Sequence, residues 1–146
     1  MKRLVPLVIR PWMLPLIVAA LALPIVDATA ATRATTRKIV VTKRFTGSIA
    51  SVDRWGSLQV AIVVRKTTTI TGTKKKVTRR ITAVSVPTYP NHTDRSVFIN
   101  QNALPVLKAE ALRAQSANIN LVSGATDTSY GFAQSLQAAI LKAKRT

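Results

Sequence analysis

The chain has 146 residues, of which 22 are Lys or Arg and five are Asp or Glu, so its formal charge at pH 7 is +17. A chain of this length is expected to form one domain around one core. It contains no cysteine and a single histidine. These counts exclude structural disulfides, thiol chemistry, lipoprotein anchoring and a multi-histidine metal site.

The first 30 residues have the features of an export signal. Lys2, Arg3 and Arg10 form a basic start, residues 12–26 are mostly apolar, and Ala28-Thr29-Ala30 is an A-x-A cleavage site. This order predicts a secretory signal peptide over residues 1–30, with an uncleaved membrane anchor as the alternative. Cleavage after Ala30 leaves 19 basic and four acidic side chains, a charge of +15. We therefore expect an extracytoplasmic bacterial protein, secreted or membrane-associated.

The chain after the signal is expected to continue with a linker and then with the strands of a sheet. Residues 31–44 are predicted to be a basic flexible linker that can end in a strand, and residues 45–146 to be the domain itself. Phe45–Asp53 and Ser57–Lys66 are predicted strands joined by a turn at 54–56. In the second of them, apolar residues alternate along one face, which is typical of a half-buried strand.

Residues 67–80, TTTITGTKKKVTRR, combine threonines with a strongly basic run around Gly72. This composition predicts an extended β-hairpin with a basic arm. The arm could dock an acidic electron-transfer partner or an anionic wall polymer. The alternative is a solvated charge run that only protects a sheet edge.

The second half of the domain is predicted to be mainly helical. Ile81–Val86 resumes the sheet and is expected to end at Pro87 and Pro90. Residues 94–115 are predicted helical, capped by Asp94 or Ser96 and split into two helices at Pro105. A C-terminal helix follows, because five apolar residues fall at helical spacing: Phe132, Leu136, Ala139, Ile140 and Ala143.

The turn before the C-terminal helix is the best candidate for a ligand site. Its small residues, Ser123, Gly124 and Ala125, allow a ligand to approach the backbone, and Asp127, Thr128 or Ser129 could cap the helix. Helix N-termini present free N–H groups and partial positive charge. The pattern therefore predicts a phosphate site, while the alternative is an ordinary turn before a surface helix.

Ser123-Gly124-Ala125-Thr126, followed by Thr128-Ser129, resembles the signature of the FMN-binding domain family, which includes the flavin-carrying C and G subunits of ion-pumping quinone and ferredoxin reductases. The resemblance covers residues 116–143 and extends loosely back to about Phe45. It implies FMN as cofactor and Thr126 as the attachment point of a phosphoester, installed by a Mg-dependent flavin transferase with FAD as donor. The implied cofactor-binding residues are Ser123, Gly124, Ala125, Thr126, Thr128 and Ser129.

Two positions depart from the family pattern. Asn120 stands where the transferase motif usually has an acid; it can hydrogen-bond but brings no charge. Asp127 stands where an aromatic residue is common, and it would place a negative charge beside the phosphate. With these departures, the expected fold class remains α+β: a small, hairpin-rich antiparallel sheet packed with two or three helices, with the flavin at the turn before the last one.

Other functions find less support in the sequence. The four acids outside the signal are scattered, and no nucleophile, metal-ligand, Rossmann or P-loop motif is present, so an electron carrier is favoured over an enzyme with its own substrate. The redox partners are unspecified. The alternative function is a basic exported module that binds an anionic cell-wall polymer or membrane surface without a redox cofactor. Nucleic acid is disfavoured because no aromatic residues interleave with the basic run.

Overall fold

The computed structural model describes residues 35–146, so the predicted signal or anchor over residues 1–30 lies outside the described residues. Four strands, a short 3₁₀ turn at Asp53–Trp55 and two helices follow in chain order. They are β1 (Thr36–Thr46), β2 (Ala50–Ser51), β3 (Ser57–Thr71), β4 (Lys74–Thr88), α1 (Asp94–Ala114) and α2 (Thr126–Lys144). All pairings are antiparallel, which confirms the predicted α+β class with a hairpin-rich sheet.

Strand β3 is the centre of the sheet. β1 and β2 pair with it one after the other along one edge, and β4 pairs along the other edge. The first edge is interrupted at Gly47, where a Cβ atom would lie 2.1 Å from the backbone oxygen of Ser135 in α2. Only glycine allows this close approach, so the strand predicted over Phe45–Asp53 is interrupted: β1 ends at Thr46 and only Ala50–Ser51 pairs again.

Both helices pack on the same face of the sheet, α2 mainly against β3 and α1 mainly against β4, and the core lies between the helices and the sheet. Leu58, Val60, Ile62 and Val64 alternate along that face and are buried, as predicted. They meet the apolar stripe of α2, in which Phe132, Leu136, Ala139 and Ala143 are buried and Ile140 is half-buried. The predicted C-terminal helix and its buried face are therefore confirmed.

The predicted basic hairpin is present as β3 and β4, and β1 adds a third strand beside it. β3 and β4 stay paired up to Thr71 and Lys74 around Gly72, and β1 pairs with β3 over the same length, from Thr36 opposite Thr71. The predicted flexible linker over residues 31–44, which could end in a strand, is a strand from Thr36 onward. Its β-branched residues and their pairing with β3 outweigh its basic, threonine-rich composition. We call residues 36–42 and 65–80 the arm.

The first helix also differs from prediction. It is capped by Thr93, whose hydroxyl accepts from the Ser96 N–H, and it runs unbroken through Pro105. Pro105 is exposed, whereas Ala103, Leu104 and Leu107 on either side of it are buried, so packing holds the helix together across the missing N–H. Pro87 likewise remains inside β4, because β4 is an edge strand.

Candidate functional site

The SGAT segment forms a tight turn that leads into α2. The Ala125 N–H donates to the Val122 carbonyl (3.0 Å), and Gly124 has a φ of 77° while Ser123 has no positive φ. This combination is a type II turn, in which the third residue needs the left-handed conformation that glycine adopts without strain. The glycine of the motif is thereby explained by the backbone itself.

The helix begins at Thr126, without a side-chain cap. Its N-cap residue is Ala125, and the predicted caps Asp127, Thr128 and Ser129 lie inside the first turn of the helix, so that prediction is wrong. The Ser129 N–H donates to the Ala125 carbonyl (2.9 Å), which leaves the N–H groups of the three preceding residues without intrahelical acceptors. The N–H groups of residues 126–128 are therefore free donors at the positive end of the helix dipole.

Ser129 supports the turn from its buried side. Its side chain is fully buried, and its hydroxyl donates to the Ala125 carbonyl (2.8 Å) and accepts from the Val122 N–H (3.1 Å). These two backbone groups are the two ends of the type II turn. Ser129 is thus a support for the turn in this geometry, and its hydroxyl faces away from the solvent in which a ligand would lie.

Thr128 is also buried and makes an internal contact. Its hydroxyl donates to Oδ1 of Asn100 (3.1 Å), and Nδ2 of Asn100 donates to the Pro90 carbonyl (2.7 Å). Asn100 is itself buried. This chain of bonds joins the start of α2 to α1 and to the loop before α1, which fixes the walls of the adjacent cleft.

Thr126 is exposed and lines a cleft that encloses about 60 Å³. The opposite walls bring in an aromatic ring, a guanidinium group and an aliphatic side chain, from Trp55, Arg95 and Ile99. Trp55 is half-buried, and the Arg54 guanidinium lies 5.4 Å from the centre of its ring. The cleft thus combines the Thr126 hydroxyl, the positive charge of Arg95 and an aromatic surface with the negative charge of Asp127, which also lines it.

A carboxylate lies beside the position where the family pattern has an acid. Nδ2 of Asn120 donates to Oε1 of Glu110 (3.0 Å), and Glu110 also forms an ion pair with Arg113. The hydrogen bond and the charge of Glu110 raise the pKa of Arg113 above its ordinary value. Asn120 is therefore in contact with an acid of α1, although it brings no charge itself.

The structure divides the six predicted site residues into two groups. Ser123, Gly124 and Thr126 are exposed at the turn and the helix start, whereas Ala125, Thr128 and Ser129 are buried behind them. The Ala125 N–H is used within the turn, so it is not free for a ligand in this geometry. Sequence analysis did not find Arg95, Ile99 or Asn100, because only the packing of α1 on α2 brings them to the motif.

The described residues include no group of three or more His, Cys, Asp or Glu side chains that could hold a metal ion. No helix between residues 35 and 146 is long and apolar enough to cross a membrane. In comparisons with known proteins, the chain matches no protein-family model and no curated protein.

Proposed function

We propose that this protein is an exported electron carrier that holds FMN at the start of α2, with the phosphate on Thr126. The observation that carries the proposal is the exposed Thr126, which follows a type II turn and begins a helix whose first three N–H groups have no intrahelical acceptor. The resemblance of residues 123–129 to the FMN-binding signature supplies the identity of the ligand. The geometry alone would not identify FMN, because helix N-termini accept many anions.

The residues around the cleft fit the two parts of FMN differently. The N–H groups of residues 126–128 and the Arg95 guanidinium suit a phosphate. An enclosed volume of about 60 Å³ accommodates a phosphate group but not a three-ring flavin. The ring would therefore extend across the mouth of the cleft, where Trp55 and Ile99 offer an aromatic and an aliphatic surface.

The buried hydroxyls of Thr128 and Ser129 have a positioning role in this proposal. They hold the turn and the first helical turn in place, and with them the backbone that carries Thr126. Bound FMN would supply one- and two-electron redox chemistry, and the protein would supply attachment and orientation. Electron donor and acceptor would approach the exposed ring from solvent.

Covalent attachment has a physical advantage for an exported protein, because a dissociated cofactor is lost to dilution. Transfer from FAD would break the pyrophosphate bond of FAD and join the FMN phosphorus to the Thr126 oxygen, with release of AMP and the hydroxyl proton. The carboxylate of Glu110, in contact with Asn120, is the acid that lies next to the position where the family pattern has one. Asn120 and Asp127 are the two departures from that pattern, and their effect on covalent attachment can be tested separately from their effect on FMN binding.

The proposal is tested by purifying the protein after co-expression with a flavin transferase. We expect a yellow protein whose flavin absorbance survives denaturation and acid precipitation. Thr126→Ala should abolish the covalent flavin, while Thr126→Ser, which keeps a hydroxyl, should retain a measurable fraction. A folded wild-type protein that stays colourless and also fails to bind free FMN would refute the proposal.

A further inference from the structure

The two faces of the arm differ in composition. Directly paired residues in antiparallel strands point to the same side of the sheet, so the pairings divide the arm into an inner face, on the side of α2, and an outer face. Three rows across β1, β3 and β4 form the inner face: Val41-Lys66-Arg79, Ile39-Thr68-Val77 and Arg37-Ile70-Lys75. Four rows form the outer face: Thr42-Arg65-Arg80, Val40-Thr67-Thr78, Lys38-Thr69-Lys76 and Thr36-Thr71-Lys74.

The inner face is amphipathic, whereas the outer face is polar. Four of the nine inner residues are aliphatic and four are basic, while the outer face has a single aliphatic residue, Val40, among threonines and basic residues. Ile39, Val41 and Val77 on the inner face are each between 37% and 41% exposed. The helices leave this part of the sheet partly exposed. At its base, Val41, Lys66 and Arg79 line a cavity together with Ala143 and Thr146, and Lys66 Nζ donates to the Thr146 carbonyl (2.6 Å).

The charge of the arm restricts what can cover this face. The arm contains nine basic residues and no acidic residue. A second copy would bring the same nine charges, so self-association through this face is opposed by repulsion. The occupant must be anionic, and it must also gain from contact with aliphatic side chains.

We propose that the inner face of the arm docks onto an anionic lipid bilayer, with its aliphatic residues in the interfacial region and its Lys and Arg side chains among the headgroups. Aliphatic side chains flanked by basic residues suit such a surface, where apolar burial and attraction to anionic lipid add. A polyanionic polymer would gain nothing from the aliphatic rows and would bind the more basic outer face at least as well. This proposal does not depend on flavin binding.

The course of the chain favours the same occupant. Thr36 pairs with Thr71 beside the tip of the arm, so the chain enters the domain at that tip. Only residues 27–35 separate Thr36 from the apolar run over residues 12–26, a span of at most about 35 Å. Before or without cleavage, an apolar segment inserted in a bilayer would hold the tip of the arm close to the lipid surface.

The test uses a chain that begins at Ala31, since the hydrophobic core lies within residues 45–143 and residues 33–146 form a separate unit. The sequence contains no cysteine, so Val41→Cys on the inner face and Val40→Cys on the outer face can each be labelled with an environment-sensitive fluorophore. These neighbours have similar exposure, 41% and 50%, and differ in the face they occupy. With vesicles of phosphatidylcholine and phosphatidylglycerol, we expect a blue shift at position 41 and little change at position 40.

Affinity gives a second readout. Sedimentation with the same vesicles should show binding that is lost with pure phosphatidylcholine and falls as salt rises. Lys75→Gln should weaken binding about fivefold, as expected for one basic residue at an anionic surface. Failure to bind anionic vesicles would overturn the proposal. Equal shifts at positions 40 and 41 would also overturn it, because the inner face would then not be the docking face. So would equally strong binding to soluble polyphosphate with the same shift at position 41, because that indicates attraction to polyanions without lipid contact.

Discussion

Ser129→Ala tests whether the buried hydroxyl of Ser129 holds the turn before α2. The substitution removes the bonds to the Ala125 carbonyl and from the Val122 N–H. The Ala125 carbonyl keeps the Ser129 N–H as a donor, but the partly buried Val122 N–H loses its acceptor. An unsatisfied group of this kind costs about 1–3 kcal/mol, and the better helix propensity of alanine returns about 0.5 kcal/mol. We therefore expect a loss of about 1–2 kcal/mol in the free energy of unfolding.

The measurement is urea unfolding of Ser129→Ala beside Ser123→Ala, which removes an exposed hydroxyl from the same turn. Ser123→Ala should stay within about 0.5 kcal/mol of wild type. The Ser129→Ala protein, still folded, should also incorporate less flavin at Thr126, because the ends of the turn are no longer fixed. Equal stability of the two variants would refute the role of Ser129 as a support.

Three further predictions concern the backbone and the motif. Gly47→Ala should destabilise the protein by about 3 kcal/mol, because the new Cβ meets backbone atoms of Ser135. Gly124→Ala has open space around the new Cβ but a φ of 77°, so it should cost only about 1 kcal/mol. Thermal unfolding that reversed this order would contradict the packing argument. Pro105→Ala restores a helical N–H at an exposed position, so urea unfolding should show a free energy of unfolding about 1–2 kcal/mol higher. A lower free energy of unfolding would contradict this prediction. Asn120→Asp should raise the covalent flavin fraction relative to Asn120→Ala in absorbance after acid precipitation, and equal fractions would show that an acid at this position is not needed.

The parts of the fold that follow from local patterns were predictable from the sequence. The alternation in β3 and the helical spacing from Phe132 to Ala143 state which faces are buried, and both are buried in the structure. The basic hairpin around Gly72 was predictable for the same reason, since threonine and valine favour strands on both sides of a turn residue. These signals depend on neighbouring residues alone.

The errors arose where distant contacts outweigh local preference. Pairing with β3 turns residues 36–46 into a strand despite a composition that suggested a linker. Burial on both sides of Pro105 keeps α1 continuous. At the candidate site, Thr128 and Ser129 were expected to face a ligand because they follow the motif in sequence. The packing of α1 buries Thr128 instead, because the Thr128 hydroxyl donates to Asn100, which lies 28 positions away in the sequence.

The most direct test of the central claim is peptide mass spectrometry of the protein after co-expression with a flavin transferase. The account predicts one FMN on the peptide that contains Thr126, with fragment ions that assign it to that residue and not to the neighbouring Ser123, Thr128 or Ser129. An unmodified Thr126 peptide from a transferase-competent host, or flavin attached to a different hydroxyl, would contradict it.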